Sequence, residues 1–170
     1  MLRNAVQGDI PALARIYTAA LQETYRDILP ESYLASLTVV EGEDTWRRIL
    51  AQPGREVLVE ECGGAGCGFA SCKPDDAHAG WLMLASLYVD GQSQGRGIGK
   101  RLIHAVWDRA RAMGFENVSV SVVRDNPRAR GMYERMGAVY LNDSVYSFGP
   151  YPVVCRNYVW PLASVLPSDG

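Results

Sequence analysis

The stretch Gln94-Gly95-Arg96-Gly97-Ile98-Gly99-Lys100 constrains this 170-residue chain more than any other. Ahead of it, Trp81 to Val89 is a nearly unbroken apolar run, bounded by Gly80 and by Asp90-Gly91, and reads as a buried strand. Behind it, Gly97 to Met113 reads as a helix, because Ile98, Leu102, Val106 and Ala110 share one stripe. Gly114 stands where a left-handed terminus wants a glycine. A strand that turns into a helix through glycines makes a particular kind of site. Glycine lets backbone approach a ligand closely. The helix start leaves N–H groups unpaired and its dipole favours negative charge. The expected ligand is therefore a phosphate or pyrophosphate.

Two phosphate-binding patterns fail on residues. A P-loop needs Gly at 94 and Ser or Thr at 101, where Gln94 and Arg101 stand. A dinucleotide fingerprint needs Gly at 100 or 102, where Lys100 and Leu102 stand. A third pattern, Gln/Arg-x-x-Gly-x-Gly/Ala, matches at Gln94, Gly97 and Gly99.

The rest of the chain supplies the frame. Leu2 to Val6 reads as a strand, followed by a helix capped by Asp9 with Pro11 in its first turn. Pro30 to Leu37 and Asp44 to Ala51 read as further helices. Val57 to Cys62 and Cys67 to Cys72 make a hairpin around Gly63-Gly64-Ala65-Gly66. Val118, Val120 and Val122 alternate with Ser119 and Ser121 as a half-buried strand. Asn126-Pro127 opens a helix ending at Met136-Gly137, and Ala138 to Leu141 and Val153 to Trp160 are closing strands. This order, with hairpins at both ends and one strand–helix–strand unit between them, predicts an α+β or mixed α/β sheet in one domain over residues 1–170.

Composition narrows the function classes. Hydrophobic residues are 48% and charged residues 21%, the balance of a globular chain. With 17 basic and 19 acidic residues, a net charge of −2 and no basic block, nucleic-acid binding has no electrostatic support. No secretory signal and no run of roughly 18 apolar residues is visible, so a soluble cytoplasmic protein without a membrane partner is expected. Cys62, Cys67, Cys72 and Cys155 form no CxxC pair and share no ligand spacing with His78 or His104. They read as reduced thiols, and no metal is expected.

A second motif gives the glycine turn its meaning. Asn126-Pro127-Arg128-Ala129-Arg130-Gly131-Met132-Tyr133-Glu134-Arg135-Met136-Gly137 resembles the Asn-x-x-Ala-x-x-x-Tyr-x-x-x-Gly segment of the GNAT superfamily of N-acetyltransferases. The pyrophosphate loop of that superfamily is the pattern met at Gln94. The two motifs come in the family's order, and the resemblance is strongest over residues 82–140. It implies a mostly antiparallel twisted sheet of about seven strands, flanked by helices, whose central strands splay apart to receive acetyl-CoA.

On that resemblance, Leu87, Tyr88 and Val89 would face the pantetheine arm. Gln94, Gly95, Arg96, Gly97, Ile98, Gly99 and Lys100 would wrap the pyrophosphate. Asn126 would touch the cofactor arm, cap a helix, or do both. Tyr133 would be the general acid. The family's strand glutamate is missing, because Met83 stands at its place. Glu23, Asp27, Glu60 and Glu61 are substitutes for a base, as is a water chain.

The reaction implied is acetyl transfer to a primary amine of a small molecule by direct attack in a ternary complex. Acetylation of a protein N-terminus or lysine, and a non-catalytic acyl-CoA-binding domain, stay open beside it. Tyr25, Tyr33, Tyr146, Phe148 and Tyr151 are either an acceptor pocket or core and dimer contacts. The segment Gly149 to Val153 reads as a covering loop. A homodimer accords with family habit. Residues 161–170 read as a tail.

Overall fold

The computed structural model describes residues 1–165 and builds them around one seven-stranded sheet. The elements are β1 (Leu2–Asn4), α1 (Ile10–Thr24), α2 (Glu31–Ser36), α3 (Val39–Leu50), β2 (Glu56–Cys62), β3 (Ala65–Pro74), β4 (Trp81–Val89), α4 (Ile98–Ala112), β5 (Asn117–Val123), α5 (Pro127–Arg135), β6 (Val139–Phe148) and β7 (Tyr151–Pro161). In space the strands run β1-β2-β3-β4-β5-β7-β6. Every neighbouring pair is antiparallel except β4 and β5, which the α4 crossover makes parallel. The mixed sheet with flanking helices is the architecture expected from the order of elements.

Both faces of the sheet are covered. On one, α4 buries Leu102, Ile103, Val106 and Ala110 against Leu82, Val118, Val120 and Trp160. On the other, α1 and α3 set Leu13, Ala14 and Trp46 against Val57, Val59 and Phe69. A third cluster joins Leu21, Tyr25, Leu29 and Leu34 to Val123, Val153 and Cys155, beside the splayed centre of the sheet. Gly68 permits the closest approach between layers. A Cβ there would lie 2.9 Å from Ile98 Cγ2, so only glycine lets the first residue of α4 press on β3.

The splay has a local cause. β4 and β5 are paired only from Trp81–Asn117 to Leu84–Val120. The β3–β4 register jumps between Ser71–Ser86 and Cys72–Leu84, leaving Ala85 as an extra residue in β4. A bulge bends its strand and raises its twist. Beyond Ala85 the backbone of β4 therefore turns away from β5, and its β5-facing side has no strand partner.

Several sequence expectations need correction. Asp9 does not cap α1 with its side chain; it accepts from Val6 N–H at 2.7 Å and from both terminal nitrogens of Arg3. Helix α3 starts five residues before the expected Asp44, because Thr38 and Glu41 form a capping box. β6 runs on to Phe148 and β7 begins at Tyr151, so the covering loop shrinks to the turn Gly149-Pro150. Pro161 lies in β7, Leu162 is buried, and Arg111 donates to the carbonyls of Leu162 and Val165. The rest of the expected tail, 166–170, lies outside the described residues.

The cysteines also divide differently. Cys62 and Cys67 are joined by a disulfide, with Cα atoms 5.7 Å apart, while Cys72 and Cys155 are buried thiols. The β2–β3 register explains this. Glu60 faces Gly68 and Glu61 faces Gly66, so Cys67 is an extra bulged residue brought beside Cys62. A bulge in a glycine-rich hairpin has no signature in cysteine spacing. With that pair oxidised, the four cysteines do not argue for a reducing compartment.

Candidate active site

The glycine turn is held in an unusual backbone. Gly95 has φ 79° and Gly97 φ 73°, both in the left-handed region, and Gly97 is the N-cap of α4. A side chain at 97 would be strained whatever room it had. No side chain caps this helix start, and its unpaired N–H groups and positive dipole end are left for a ligand.

Three contacts that sequence patterns do not reveal staple the turn to its surroundings. Arg101 donates through Nη1 to the Arg96 carbonyl at 3.0 Å, and through Nε and Nη2 to Glu60 Oε1 at 3.3 and 3.2 Å. Arg15 of α1 donates to Asp90 Oδ2 at 2.7 Å, while Asp90 Oδ1 accepts from the Gln92 N–H. Arg128 of α5 donates to Gln94 Oε1 at 2.6 Å, and Gln94 Nε2 donates to the Val89 carbonyl. Arg101 follows the glycine motif and Arg128 lies within the second motif, but neither spacing names a partner, and Arg15 lies outside both.

In front of the turn lies a groove of about 510 Å³ between β4 and α5. Of the residues expected to bind the cofactor, Leu87, Tyr88, Val89, Gln94, Gly95, Gly97, Ile98, Gly99, Lys100 and Asn126 line it, and Arg96 does not. Arg96 is exposed and contributes its carbonyl to Arg101 instead. Arg128 and Arg135 stand along the groove with Lys100. Asn126 caps α5 by accepting from the Ala129 N–H at 3.2 Å, so the capping half of its dual reading is observed.

The groove opens through the splay into a second cavity of about 320 Å³, with which it shares Thr24, Leu87, Tyr88, Asn126, Ala129 and Tyr133. Tyr133 is thus at the junction. Its ring is 6% exposed and stands edge-on to Trp160, with centroids 5.4 Å apart. Packing and a chemical role are therefore compatible. Burial pushes its phenol well above the ordinary tyrosine range, so the group holds its proton at neutral pH. Burial likewise raises Tyr17, Tyr25 and Tyr88.

Met83 lines this cavity, at the strand position that the family resemblance gives to a glutamate. Of the four substitute carboxylates, Glu60 and Glu61 lie at the β1–β2 edge, engaged by Arg101 and Arg3. Glu23 lines the cofactor groove, and Asp27 lines neither cavity. Cys155 lines the cavity as a thiol that burial pushes up. A third hollow of about 160 Å³ continues from the second, beneath the β6–β7 turn, lined by Tyr33, Leu29, Leu37 and Gly149 together with Tyr25 and Phe148. Tyr25 packs on Phe148 at 4.6 Å and Tyr33 on Tyr151 at 5.2 Å. The aromatic segments thus serve as core and as cavity wall at once. Among the described residues, no group of three or more His, Cys, Asp or Glu side chains gathers as a metal site.

This arrangement has counterparts in known proteins. The chain is 30% identical to an uncharacterized N-acetyltransferase of Bacillus subtilis over 130 residues, 74% of this chain and 73% of that one. It is 27% identical to the L-methionine sulfoximine/L-methionine sulfone acetyltransferase of Pseudomonas aeruginosa, over 80% of this chain and 78% of the relative. Its fold matches a putative acetyltransferase of Salmonella typhimurium, solved with acetyl-CoA, at a TM-score of 0.72 and 20% identity, covering 100% of this chain and 98% of that one. The family model of the GNAT acetyltransferases matches residues 17–138, which takes in the splayed strands, the glycine turn and Tyr133, and this chain belongs to that family.

Proposed function

We propose that the chain transfers the acetyl group of acetyl-CoA to a primary amine of a small molecule, by direct attack in a ternary complex. One observation carries this reading. A left-handed glycine turn, an unpaired strand edge and a buried tyrosine line a single passage that leads from an anion site into a second cavity, half open to solvent past Tyr146. The residues suit the cosubstrate: unpaired N–H groups at the start of α4 and the side chains of Lys100, Arg128 and Arg135 complement phosphates. The β5-facing backbone of β4 in the Leu87–Val89 stretch has no strand partner and is offered to an amide-bearing arm, apart from the Val89 carbonyl, which accepts from Gln94 Nε2. When bound, acetyl-CoA supplies a thioester carbonyl as electrophile and a thiolate as leaving group.

The chain's own groups then have defined tasks. A backbone N–H of the Leu87–Val89 stretch donates to the carbonyl oxygen as negative charge develops there. Tyr133, protonated and at the junction of groove and cavity, gives its proton to the departing sulfur. No covalent acyl-enzyme is invoked, because the buried Cys155 thiol, pushed up by burial, donates to the Val153 carbonyl at 3.9 Å and has the Ser121 hydroxyl beside it, and neither is a base that would activate it.

A protein acceptor would need an open groove at the far end. There the β6–β7 turn closes over Tyr33, with the site of a Gly149 Cβ 3.3 Å from that ring, and this supports a small acceptor. Met83 favours a silent acyl-CoA-binding domain as the second reading, since it leaves the strand without a carboxylate.

We place the protein in the cytoplasm, where its cosubstrate is made. Among the described residues no helix is long and apolar enough to cross a membrane. The ten-residue edge strand β6, exposed along most of its length, is the proposed seat of a homodimer, which light scattering would detect.

The test of the main reading is a calorimetric titration with acetyl-CoA of the wild type and of Gly97→Asp. The variant adds a carboxylate and a Cβ to a φ of 73°. Saturable binding by the wild type and a loss of at least a hundredfold in the variant are expected. A folded wild type that does not bind would sink the reading.

A further inference from the structure

The acceptor end of the passage has a chemical character of its own. The residues lining the second and third cavities include aromatic rings, aliphatic side chains and hydroxyls, but no Lys, Arg, His, Asp or Glu. The adjoining cofactor groove is lined by Glu23, Lys100, Asp125, Arg128 and Arg135, and a surface hollow that shares Leu34 with the third cavity is lined by Arg26 and Glu31. Every titratable group facing the acceptor space is a phenol or a thiol. Tyr17 and Tyr25 come from α1 and the turn after it, Tyr33 from α2, and Tyr88 from β4. Tyr133, Tyr146 and Cys155 come from α5, β6 and β7.

Two consequences follow for whatever nitrogen enters. An alkylamine of lysine-like pKa, about 10, is neutral in only about one molecule in a thousand at pH 7. Reaction requires the neutral form, and no carboxylate or imidazole lines the cavity to take the proton. Binding the ammonium form is no better. Attraction to tyrosine faces is worth roughly 0.5–2 kcal/mol, and no carboxylate lines the space to pair with an ammonium. The same argument excludes a carboxylate on the acceptor, since nothing cationic lines the space to pair with it. A neutral N–H, by contrast, finds acceptors in the hydroxyls of Thr24, Ser86 and Ser121. The third cavity, about 160 Å³, has the size that holds one benzene ring, roughly 150 Å³.

We propose that the acceptor is a weakly basic amine, uncharged at neutral pH, of the arylamine or aryl hydrazide class, carried on one apolar ring and bearing no carboxylate. This rests on acetyl-CoA occupying the groove as proposed above. It narrows that reading, and it sets this chain apart from the amino-acid acetylation for which the Pseudomonas relative is named. In the reaction the arylamine nitrogen bonds to the acetyl carbon, the carbon–sulfur bond breaks, and the nitrogen gives up one proton only after it has bonded. Tyr133 protonates the departing sulfur, and the nitrogen's proton passes through water to the Tyr133 phenolate, so no separate base is needed.

The test is a matched acceptor panel at saturating acetyl-CoA: aniline, phenylhydrazide, benzylamine, 4-aminobenzoate and methionine sulfoximine, followed by release of free thiol. Aniline or the hydrazide should exceed benzylamine at least tenfold in kcat/KM at pH 7, with a profile flat from pH 6 to 9. The benzylamine profile should climb tenfold per pH unit towards its own pKa. Aminobenzoate and the sulfoximine should be at least a hundredfold poorer than aniline. Tyr146→Arg, at a side chain 58% exposed on the rim of both cavities, should raise aminobenzoate at least tenfold relative to aniline.

The proposal fails if methionine sulfoximine or benzylamine is the better substrate at pH 7. It also fails if the aniline profile has an ascending limb near neutrality, which would report a protein base. Intact calorimetric binding of acetyl-CoA with no turnover of any arylamine would overturn this inference and leave the cofactor reading standing. Loss of that binding would overturn both.

Discussion

At the glycine-turn end of the passage, Lys100, Arg128 and Arg135 stand along the groove, and the pairs Arg101–Glu60, Arg15–Asp90 and Arg128–Gln94 tie the turn to β2, α1 and α5. At the other end, beneath the β6–β7 turn, the walls are Tyr25, Tyr33, Phe148 and their aliphatic neighbours, with no charged side chain lining the space. The two ends hold their ligands in different ways. An anion is recognised by a fixed array of N–H groups whose geometry must not move, so the chain spends charged contacts on rigidity. A neutral ring is recognised by shape and exclusion of water, where a charge without a partner would be a cost. Tyr133 stands where the two regimes meet, lining both groove and cavity.

The largest effect is therefore expected at that border. Tyr133→Phe keeps the ring against Trp160 and removes only the hydroxyl. If the phenol protonates the leaving sulfur, kcat should fall by about 10²–10³ while the dissociation constant for acetyl-CoA stays within twofold. Single-turnover rates and calorimetry on the same preparation read both quantities. A fall of less than threefold would make Tyr133 a packing residue and would strengthen the silent-domain reading.

A smaller effect should separate the two ends cleanly. Arg101→Met removes the link between the turn and Glu60, a carboxylate side chain only 9% exposed. Loss of the link should raise the acetyl-CoA dissociation constant about tenfold, or roughly 1.4 kcal/mol. The acceptor KM should stay within twofold, because neither Arg101 nor Glu60 lines the second or third cavity. If the acceptor KM rose in step, the two ends would be coupled through β4, and their contrast would be one of composition alone.

The cofactor end was readable from residues because its demands are local. A left-handed φ needs glycine, and a helix start that binds anions needs glycine close to it, so spacing carries the information. The motif alone puts Arg96 in the groove, but nothing local tells which of two neighbouring cations turns inward. The staples were not readable, since Arg101 and Glu60 are 41 residues apart and meet only through the register of β2 against β3.

The acceptor end was half readable. Its aromatic residues were found, but whether they form wall or core depends on how α1, α2 and the β6–β7 turn pack. The Gly149-Pro150 turn is shorter than the expected loop because β-branched and aromatic residues carry β6 through Phe148. The Cys62–Cys67 bridge was invisible for the same kind of reason, since one bulged residue decides it.

The smallest expected effect concerns the charge of a single staple. Asp90 accepts from Arg15 at 2.7 Å, and this bond, ahead of the Gln92 N–H, holds its carboxyl below the usual range. The folded pKa is thus depressed from an unfolded value of about 3.9. The stabilisation is then fully present above that pH and is lost as pH falls through the folded pKa beneath it. Arg15 is 54% exposed on its side chain, so solvent screening limits the pair to about 0.5 kcal/mol. Asp90→Asn keeps an oxygen for the Gln92 N–H and discards the charge. At pH 7 it should lower the melting temperature by about 1–2 °C. The gap between wild type and variant should begin to shrink as the pH drops below about 4, where the unfolded carboxyl protonates, and close once the pH is beneath the depressed folded pKa and the wild-type carboxyl is neutral too. Melting curves from pH 7 to 3 would show it. A gap that persists at the acid end would mean that Asp90 holds the turn through its hydrogen bonds alone, and the contrast between a charged and an uncharged end would then rest on Arg101 and Glu60.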